Sequence, residues 1–575
     1  MNYIKNHTTI LYSMILLFIC FCLYCINLGE FPLIDYDETK YVLIAKDAIN
    51  SSNWINLKLN GETFFGTPPL LFWIINISFL IFGKISTFAA RIPIAIYCII
   101  GILSLFLTVS KILTRTYALI ISLILATCFG FIVFSHLATN DMLYTISAMM
   151  TILLSYLILL TKTQSRNNLY LWILIYFFSG ICILTAGLFG FLPILIMIIM
   201  HIFAGKLINI FKPANIIAGI IIMTIMIAPW FIFTVKSNGF EFIKEFISAY
   251  SIFKYIGIKK FLSGIVLFIL GFMPWTCAFL WIIGSRFKDI CNSVISYIKD
   301  DSQDKLGEKW RRLSKTDKFL SLNTIVFFTS LIFVILYGSK YIYLILFLMF
   351  PAACISGHYW YEYIVRKQRD KSIFFATILP NIMFIIFSVL LLFGHSYINK
   401  LSIYGYNHLI IPVVIVFFLI PLISIFSVIL KGRTCAFIAN LILMISLSFI
   451  ITPNGYNFIV TNSGEGDLIK FARKAHEDKV NLSAFLPSKK YSLVYYYDGN
   501  IDFHKDNDYK WLKNFLQQNQ NDYVIVEIKA LWAIEDQEIK YMLLASEKRY
   551  CLIKHLPKVV EQQMEQEEEP EVIIQ

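Results

Sequence analysis

Three carboxylates, Asp35, Asp37 and Glu38, stand close together, and Lys40 follows them. A further acid, Asp141, comes after His136 and Asn140, and two cations, Arg91 and Lys340, sit at the ends of long apolar runs. Carboxylates and cations at lipid-headgroup depth suit chemistry on a lipid phosphate. Cations hold the phosphate, and a carboxylate takes the proton from an acceptor hydroxyl. Each residue also has a plainer use. Asp37 and Asp141 can cap the helices they open. Lys340 can snorkel from a tight Gly338-Ser339-Lys340 turn, Arg91 can anchor a helix end at the interface, and His136 can be a polar group at the headgroup boundary.

The elements that must position these residues are membrane helices. The chain has 575 residues, 58% apolar and 15% charged, and Phe (51) outnumbers Gly (26). Its mean hydropathy is +0.70. A soluble domain carries about 25% charged residues and could not bury this much apolar surface. Disordered, collagen-like and disulfide-framework classes are excluded by the same composition. The eleven cysteines form no ligand pattern, since Cys22 and Cys25 lie inside an apolar run. The net charge of +12 reads as basic loops against an anionic leaflet, with no nucleic-acid partner.

Runs of about 20 apolar residues mark membrane spans, and thirteen are expected: 9–28, 88–112, 117–135, 139–161, 169–185, 188–204, 214–235, 261–283, 320–338, 341–357, 373–394, 408–430 and 434–452. The first reads as an uncleaved signal anchor. With the N-terminus in the cytoplasm, cytoplasmic loops hold 22 Lys and Arg against 12 in the opposite loops, as the positive-inside rule requires. An odd span count then puts the tail outside. The expected organisation is a transmembrane domain over 1–452, an external domain over 453–558 and an acidic disordered tail over 559–575.

Span interiors are almost free of ionisable groups, which argues against an ion-coupled transporter. The first external loop, 29–87, is long and rich in aromatic residues. Within it, 37–49 is expected as an amphipathic helix on the membrane surface, and 69–82 as an interfacial or re-entrant helix too short to span. The tail reads as a small α/β unit. Helices are expected at 467–476, 509–517 and 535–544, strands at 481–486, 523–527 and 550–555, and either type at 489–497.

Several blocks together resemble GT-C fold glycosyltransferases that use lipid-linked sugars, in particular the group containing the lipid A aminoarabinose transferase and the protein O-mannosyltransferases. They are Gly29-Glu30-Phe31-Pro32-Leu33, Asp37-Glu38-Thr39-Lys40-Tyr41, Asn60-Gly61, Pro68-Pro69-Leu70-Leu71-Phe72-Trp73, Phe88-Ala89-Ala90-Arg91-Ile92-Pro93, Thr139-Asn140-Asp141-Met142, Ala228-Pro229-Trp230, Gly271-Phe272-Met273-Pro274-Trp275 and Ser339-Lys340 before Tyr343. They run in order across about the first 350 residues.

The resemblance implies an all-α polytopic GT-C membrane protein with a small C-terminal α/β extramembrane domain. It implies a metal-independent displacement at a sugar anomeric carbon, in which a polyprenyl phosphate leaves. Asp37 matches the family carboxylate that acts as base on the acceptor, and Asp141 matches a second, assisting carboxylate. Lys340 and Tyr343 match a turn near the donor phosphate, and Glu38 and Arg91 join them as expected substrate-binding residues. The chain departs from the family at Gly66-Thr67, where Glu-Lys is usual, and at Thr185-Ala186-Gly187-Leu188, where Thr-Lys-Gly-Pro is usual. The aminoarabinose subgroup's His-Glu-His-x-x-Arg run is Ala249-Tyr250-Ser251-Ile252-Phe253-Lys254 here, so neither that subgroup's zinc nor any other cofactor is expected. Either Lys254 offsets the lost lysine, or activity is reduced or lost. The expected function is sugar transfer from a polyprenyl-phosphate donor to an envelope lipid (lipid A-like), glycan or protein, at the external face of the inner membrane and among its lipids. The alternatives are a lipid-sugar flippase or transporter, and a non-catalytic lipid-sugar-binding relative.

Overall fold

The computed structural model describes residues 2–35, 37–161, 168–249, 258–285, 310–337, 340–367, 371–400, 407–430 and 432–557. Lys254, the Gly338-Ser339 turn and the acidic tail from 559 lie outside the described residues. The chain forms two compact units. One comprises Met1–Glu30, Ala45–Lys58 and Thr63–Pro453; the other comprises Phe31–Ile44, Leu59–Glu62 and Asn454–Gln575.

The first unit is helical. Among the described residues, ten helices are long and apolar enough to cross a membrane, and up to twelve if each of two bent pairs is one span. The first helices are α1 (Asn2–Tyr24), α2 (Asp37–Asn50, shared between the units), α3 (Leu70–Phe82), α4 (Thr87–Ile112), α5 (Arg115–Ala126), α6 (Phe129–Ser135) and α7 (Asn140–Leu160). After them come α8 (Leu169–Ala186) and α9 (Leu192–Phe203). Apolar side chains such as Ile81, Phe393 and Leu430 are three-quarters exposed, as lipid-facing positions are.

The 35-residue apolar stretch Leu169–Phe203 is not one rod. The chain turns at Gly187 (φ +57°) and passes through a 3-10 segment, Gly187–Phe191. A Cβ on Gly190 would lie 2.3 Å from the Ile183 backbone, and the Trp172 and His201 rings are 5.6 Å apart. The start of α8 therefore meets the end of α9, and the two helices run antiparallel. By contrast α7 and the helix Ile342–Ile364 run parallel: Tyr144 meets Tyr343 at their N-terminal ends, and Tyr156 meets Phe350 further along.

Two expectations change. The apolar stripe of α2 is covered by protein: Val42, Ile44, Ala45 and Ala48 are buried. The helix expected at 535–544 is instead the end of a helix, Ile528–Asp536, followed by strand β6. Tyr541–Ser546 pairs antiparallel with its sequence neighbour β7, and this long-range-free hairpin outcompetes a short helix.

The second unit holds a five-stranded sheet, ordered β4-β3-β5-β7-β6. After two short first-loop strands, β1 (Lys58–Leu59) and β2 (Glu62–Thr63), the strands of this sheet are β3 (Leu482–Phe485), β4 (Asp502–His504), β5 (Tyr523–Glu527), β6 (Tyr541–Ser546) and β7 (Tyr550–His555). The β3 strand is parallel to β4 and β5, while β5 and β7 are antiparallel. Alternation splits the core. Ala484, Ile525 and Leu552 pack with helices Glu465–Glu477 and Tyr491–Tyr497. On the other face, Phe485, Val524, Val526 and Ile553 pack with Tyr509–Gln518 and Ile528–Asp536.

Candidate functional site

In the second unit the acids sit at a loop-to-helix junction. Asp37 opens α2 with a side chain 63% exposed, and Lys40 Nζ reaches Asp37 Oδ1 at 2.8 Å on the next turn. Glu38 is buried and accepts from the Ile34 N–H at 2.9 Å. Its carboxylate closes the turn before the helix, so Glu38 acts on the chain itself. Asp35 is largely buried, and loss of solvent pushes its carboxyl up to about 6, against the opposing pull of Lys490. Of the three neighbouring acids, Asp37 is the one left open to solvent.

The first unit assembles a different group. Thr139 precedes α7 in extended geometry, and its hydroxyl donates to Asp141 Oδ2 at 2.8 Å. The carboxamide of Asn140 is buried with neither end partnered, a costly arrangement for an amide. One turn on, the Tyr144 ring lies 4.6 Å from Tyr343, and Thr145 Oγ1 donates to the Tyr343 carbonyl at 3.3 Å. Phe189, from the turn after α8, meets Tyr337 edge-on at 4.5 Å and Tyr341 at a tilt at 4.7 Å, and its carbonyl accepts from the Tyr144 hydroxyl. Lys340 Nζ rests 4.5 Å from the centre of the Tyr341 ring. Lys340 and Tyr343 therefore belong to one aromatic cluster, and α7 carries Asp141 one turn before its member Tyr144. An ammonium held on an aromatic face with phenols beside it can grip an anion such as a phosphate.

Arg91 and His136 do other work. Arg91 is fully buried and donates to the Leu28 carbonyl at 2.8 Å. The His136 ring nitrogens lie 2.8 Å from the Ile132 carbonyl and 3.2 Å from that of Ile26. Both grip the chain just beyond α1. An unpaired carbonyl past a helix end is a strong acceptor, and a buried cation needs such a partner.

The Gly66-Thr67 departure is built into its surroundings. A Cβ at Gly66 would lie 2.7 Å from the Phe64 ring. Thr67 Oγ1 is buried with no partner, in a small recess shared with Asn56, Phe65, Trp230, Asn238 and Phe242. Aromatic packing borders the recess, with Phe65 and Trp230 both on Phe242 at 5.5 and 5.7 Å.

Sequence reasoning missed the Phe189, Tyr144, Tyr337 and Tyr341 cluster, although tyrosines at 337, 341 and 343 flanking Lys340 were a readable signal. It also missed Glu465 and Tyr496. These meet the first-loop backbone at Asp35 and Leu33, and no local pattern announces a contact between residues over four hundred positions apart. Among the described residues no three His, Cys, Asp or Glu side chains converge as a metal site would need.

Helices of this order with a polar C-terminal α/β unit define a class, the GT-C membrane fold. The crystal structure of ArnT from Cupriavidus metallidurans bound to undecaprenyl phosphate superposes with a TM-score of 0.70 at 16% identity, covering 95% of this chain and 98% of that one. The family model described as dolichyl-phosphate-mannose-protein mannosyltransferase matches residues 66–233. In sequence the chain is similar to an undecaprenyl phosphate-alpha-4-amino-4-deoxy-L-arabinose arabinosyl transferase of Pseudomonas savastanoi pv. phaseolicola. The two are 32% identical over 109 residues, 19% of this chain and 20% of the relative. A second transferase of that description, from Proteus mirabilis, is 24% identical over 248 residues, covering 42% of this chain and 44% of the relative. The matches thus span less than half the length of these curated relatives. The chain has the GT-C fold and resembles the aminoarabinose transferases in sequence.

Proposed function

We propose that the protein is a membrane glycosyltransferase that moves a sugar from a polyprenyl-phosphate donor to an acceptor hydroxyl or amine of the cell envelope: a lipid A-like lipid, a glycan or a protein. Asp37 is the general base. It takes the acceptor proton as the acceptor attacks the anomeric carbon and the bond to the phosphate breaks, and direct attack inverts the configuration. Asp141, fixed by Thr139, assists. Lys340 and Tyr343 hold the departing phosphate and Lys254 assists them, while Glu38 and Arg91 hold the backbone around the first loop. The observation that carries this reading is the exposed Asp37 carboxylate at the start of α2, flanked by two buried acids that do structural work. The relatives' printed activities, undecaprenyl-phosphate-linked arabinosyl transfer, support the donor class.

The topology that goes with it has thirteen passes, the N-terminus in the cytoplasm, and the C-terminal domain outside. The antiparallel course of α8 and α9 supports counting 169–203 as two passes. The parallel course of α7 and Ile342–Ile364 then supports counting the bent pair Lys259–Gly271 and Thr276–Ser285 as one.

Mass spectrometry of envelope lipids and glycoproteins tests the function, comparing cells that carry the gene, lack it, or carry Asp37→Ala. A sugar modification present only with the wild-type gene is expected. Equal modification by Asp37→Ala would end the assignment of the base, and no difference between the first two strains would end the transferase reading. A reporter fused after residue 557 tests sidedness, and cytoplasmic activity would overturn it.

A further inference from the structure

The segment before Asp37 has no regular structure of its own, so something else must fix it. Its backbone donors are taken by side chains at three successive residues. The Leu33 N–H donates to the Tyr496 hydroxyl at 3.1 Å, the Ile34 N–H to Glu38 Oε2 at 2.9 Å, and the Asp35 N–H to Glu465 Oε2 at 3.2 Å. Two of those three acceptors come from the C-terminal part of the chain. Ahead of them, Phe31 stacks flat on Tyr456, with ring centres 4.1 Å apart. Glu465 opens the helix Glu465–Glu477 and is buried, an unusual place for a first-turn acid whose ordinary partners are water and the helix's own N–H groups.

Resting on the reading of Asp37 as general base, we propose that Glu465 and Tyr496 are positioning residues for Asp37. They dock the Leu33–Asp35 backbone on the C-terminal α/β unit, and so set where α2 begins and where its exposed carboxylate is held. A hydrogen-bonding side chain at each docked amide is what an irregular segment needs if it is to present a group reproducibly.

The docking is linked to protons. The Asp35 and Glu465 carboxyls face each other. Lys490 approaches both, Lys40 approaches Asp35, and the N–H groups of Tyr491 and Ser492 approach Asp35 without completing full hydrogen-bond geometry. Tyr550 lies beside Glu465, and further along the same helix Asp467 accepts from the Arg549 N–H. Burial, and then the charge of Asp35, push Glu465 up to about 7. Burial pushes Asp35 up to about 6. Both groups bind a proton more tightly docked than free. Docking is therefore full below the ordinary carboxylate range and weakens as pH rises through about 6 to about 7.

The test is hydrogen–deuterium exchange of the full-length protein in lipid nanodiscs, read on peptides covering 31–44 and corrected for the intrinsic pH dependence of exchange. Glu465→Ala and Tyr496→Phe are expected to speed exchange at 33–35 about tenfold. Peptides across β5 and β7 should stay unchanged, which reports that the unit still folds. Glu465→Gln keeps an acceptor for the Asp35 N–H, so it should restore slow exchange and flatten the rise that the wild type shows between about pH 6 and pH 8. Sugar transfer, measured by envelope mass spectrometry at equal membrane abundance, should fall about tenfold in Glu465→Ala and recover in Glu465→Gln. Wild-type exchange in Glu465→Ala overturns the docking, and faster exchange with unchanged transfer overturns the positioning role. Asp37→Ala separates the two readings. It should abolish transfer with exchange at 33–35 unaltered, so failure of the general-base assignment appears in transfer alone.

Discussion

The two acids that matter most, Asp37 and Asp141, are held by opposite physics. Asp37 belongs to a polar neighbourhood of carboxylates, lysines and backbone amides, where each acid is distinguished by its burial: Asp35 and Glu38 turned in, Asp37 turned out. Asp141 belongs to an aromatic neighbourhood. There a threonine hydroxyl fixes it, and one turn on Tyr144 joins the rings of Phe189, Tyr341 and Tyr343, with Lys340 resting on Tyr341. A group meant to accept a proton needs access and a free lone pair. A cation that is to hold a lipid phosphate, as proposed for Lys340, gains more from a low-dielectric wall, because its charge is then weakly screened. On the proposed reading, the two aspartates take different roles from their surroundings.

The sharpest way to break this contrast is Asp37→Asn. It keeps size and hydrogen bonding but removes the base, so the rate of sugar transfer should fall about a thousandfold. A fall under tenfold, measured by envelope mass spectrometry, would place the base elsewhere. Next is Leu552→Ala, in the sheet core that backs the polar neighbourhood. It should lower the stability of the C-terminal unit by about 3 kcal/mol, read by exchange across β5 and β7. Loss of transfer should follow only where the unit opens. Asp141→Asn should lower the rate about a hundredfold with Lys340 and its tyrosines undisturbed. An effect as large as that of Asp37→Asn would make the two acids equivalent and end the division of roles. Smallest, Lys340→Gln should weaken binding of undecaprenyl phosphate about tenfold, with partial recovery in Lys340→Arg. Equal affinity in both variants would remove the phosphate contact from this lysine.

Much of the fold was legible because membrane helices are written in hydropathy, a local property. The apolar runs at 88–112 and 139–161 match α4 and α7 within a residue or two. The same local logic located strands β5 and β7. It misread 535–544, because strand pairing with β7 decides that segment and pairing is not a property of the segment alone. It placed α2 on the membrane for a similar reason: an amphipathic stripe states that something covers it and leaves open what does. Among candidate site residues, Asp37, Asp141 and Lys340 were visible as charges stranded between apolar runs. Arg91 was visible too, but its grip on the Leu28 carbonyl could not be read from spacing.

The sequence by itself determined that this is a polytopic membrane protein with a polar C-terminal unit, and which few charges are available for chemistry. Burial of apolar surface is additive along the chain, so composition and run length suffice for that. Only the tertiary structure decided which acid stays open, which ring Lys340 rests on, and that Glu465 and Tyr496 take hold of the irregular segment before Asp37. Burial, shared protons and hydrogen-bond satisfaction depend on distance in space, and residues separated by hundreds of positions carry no local trace of it.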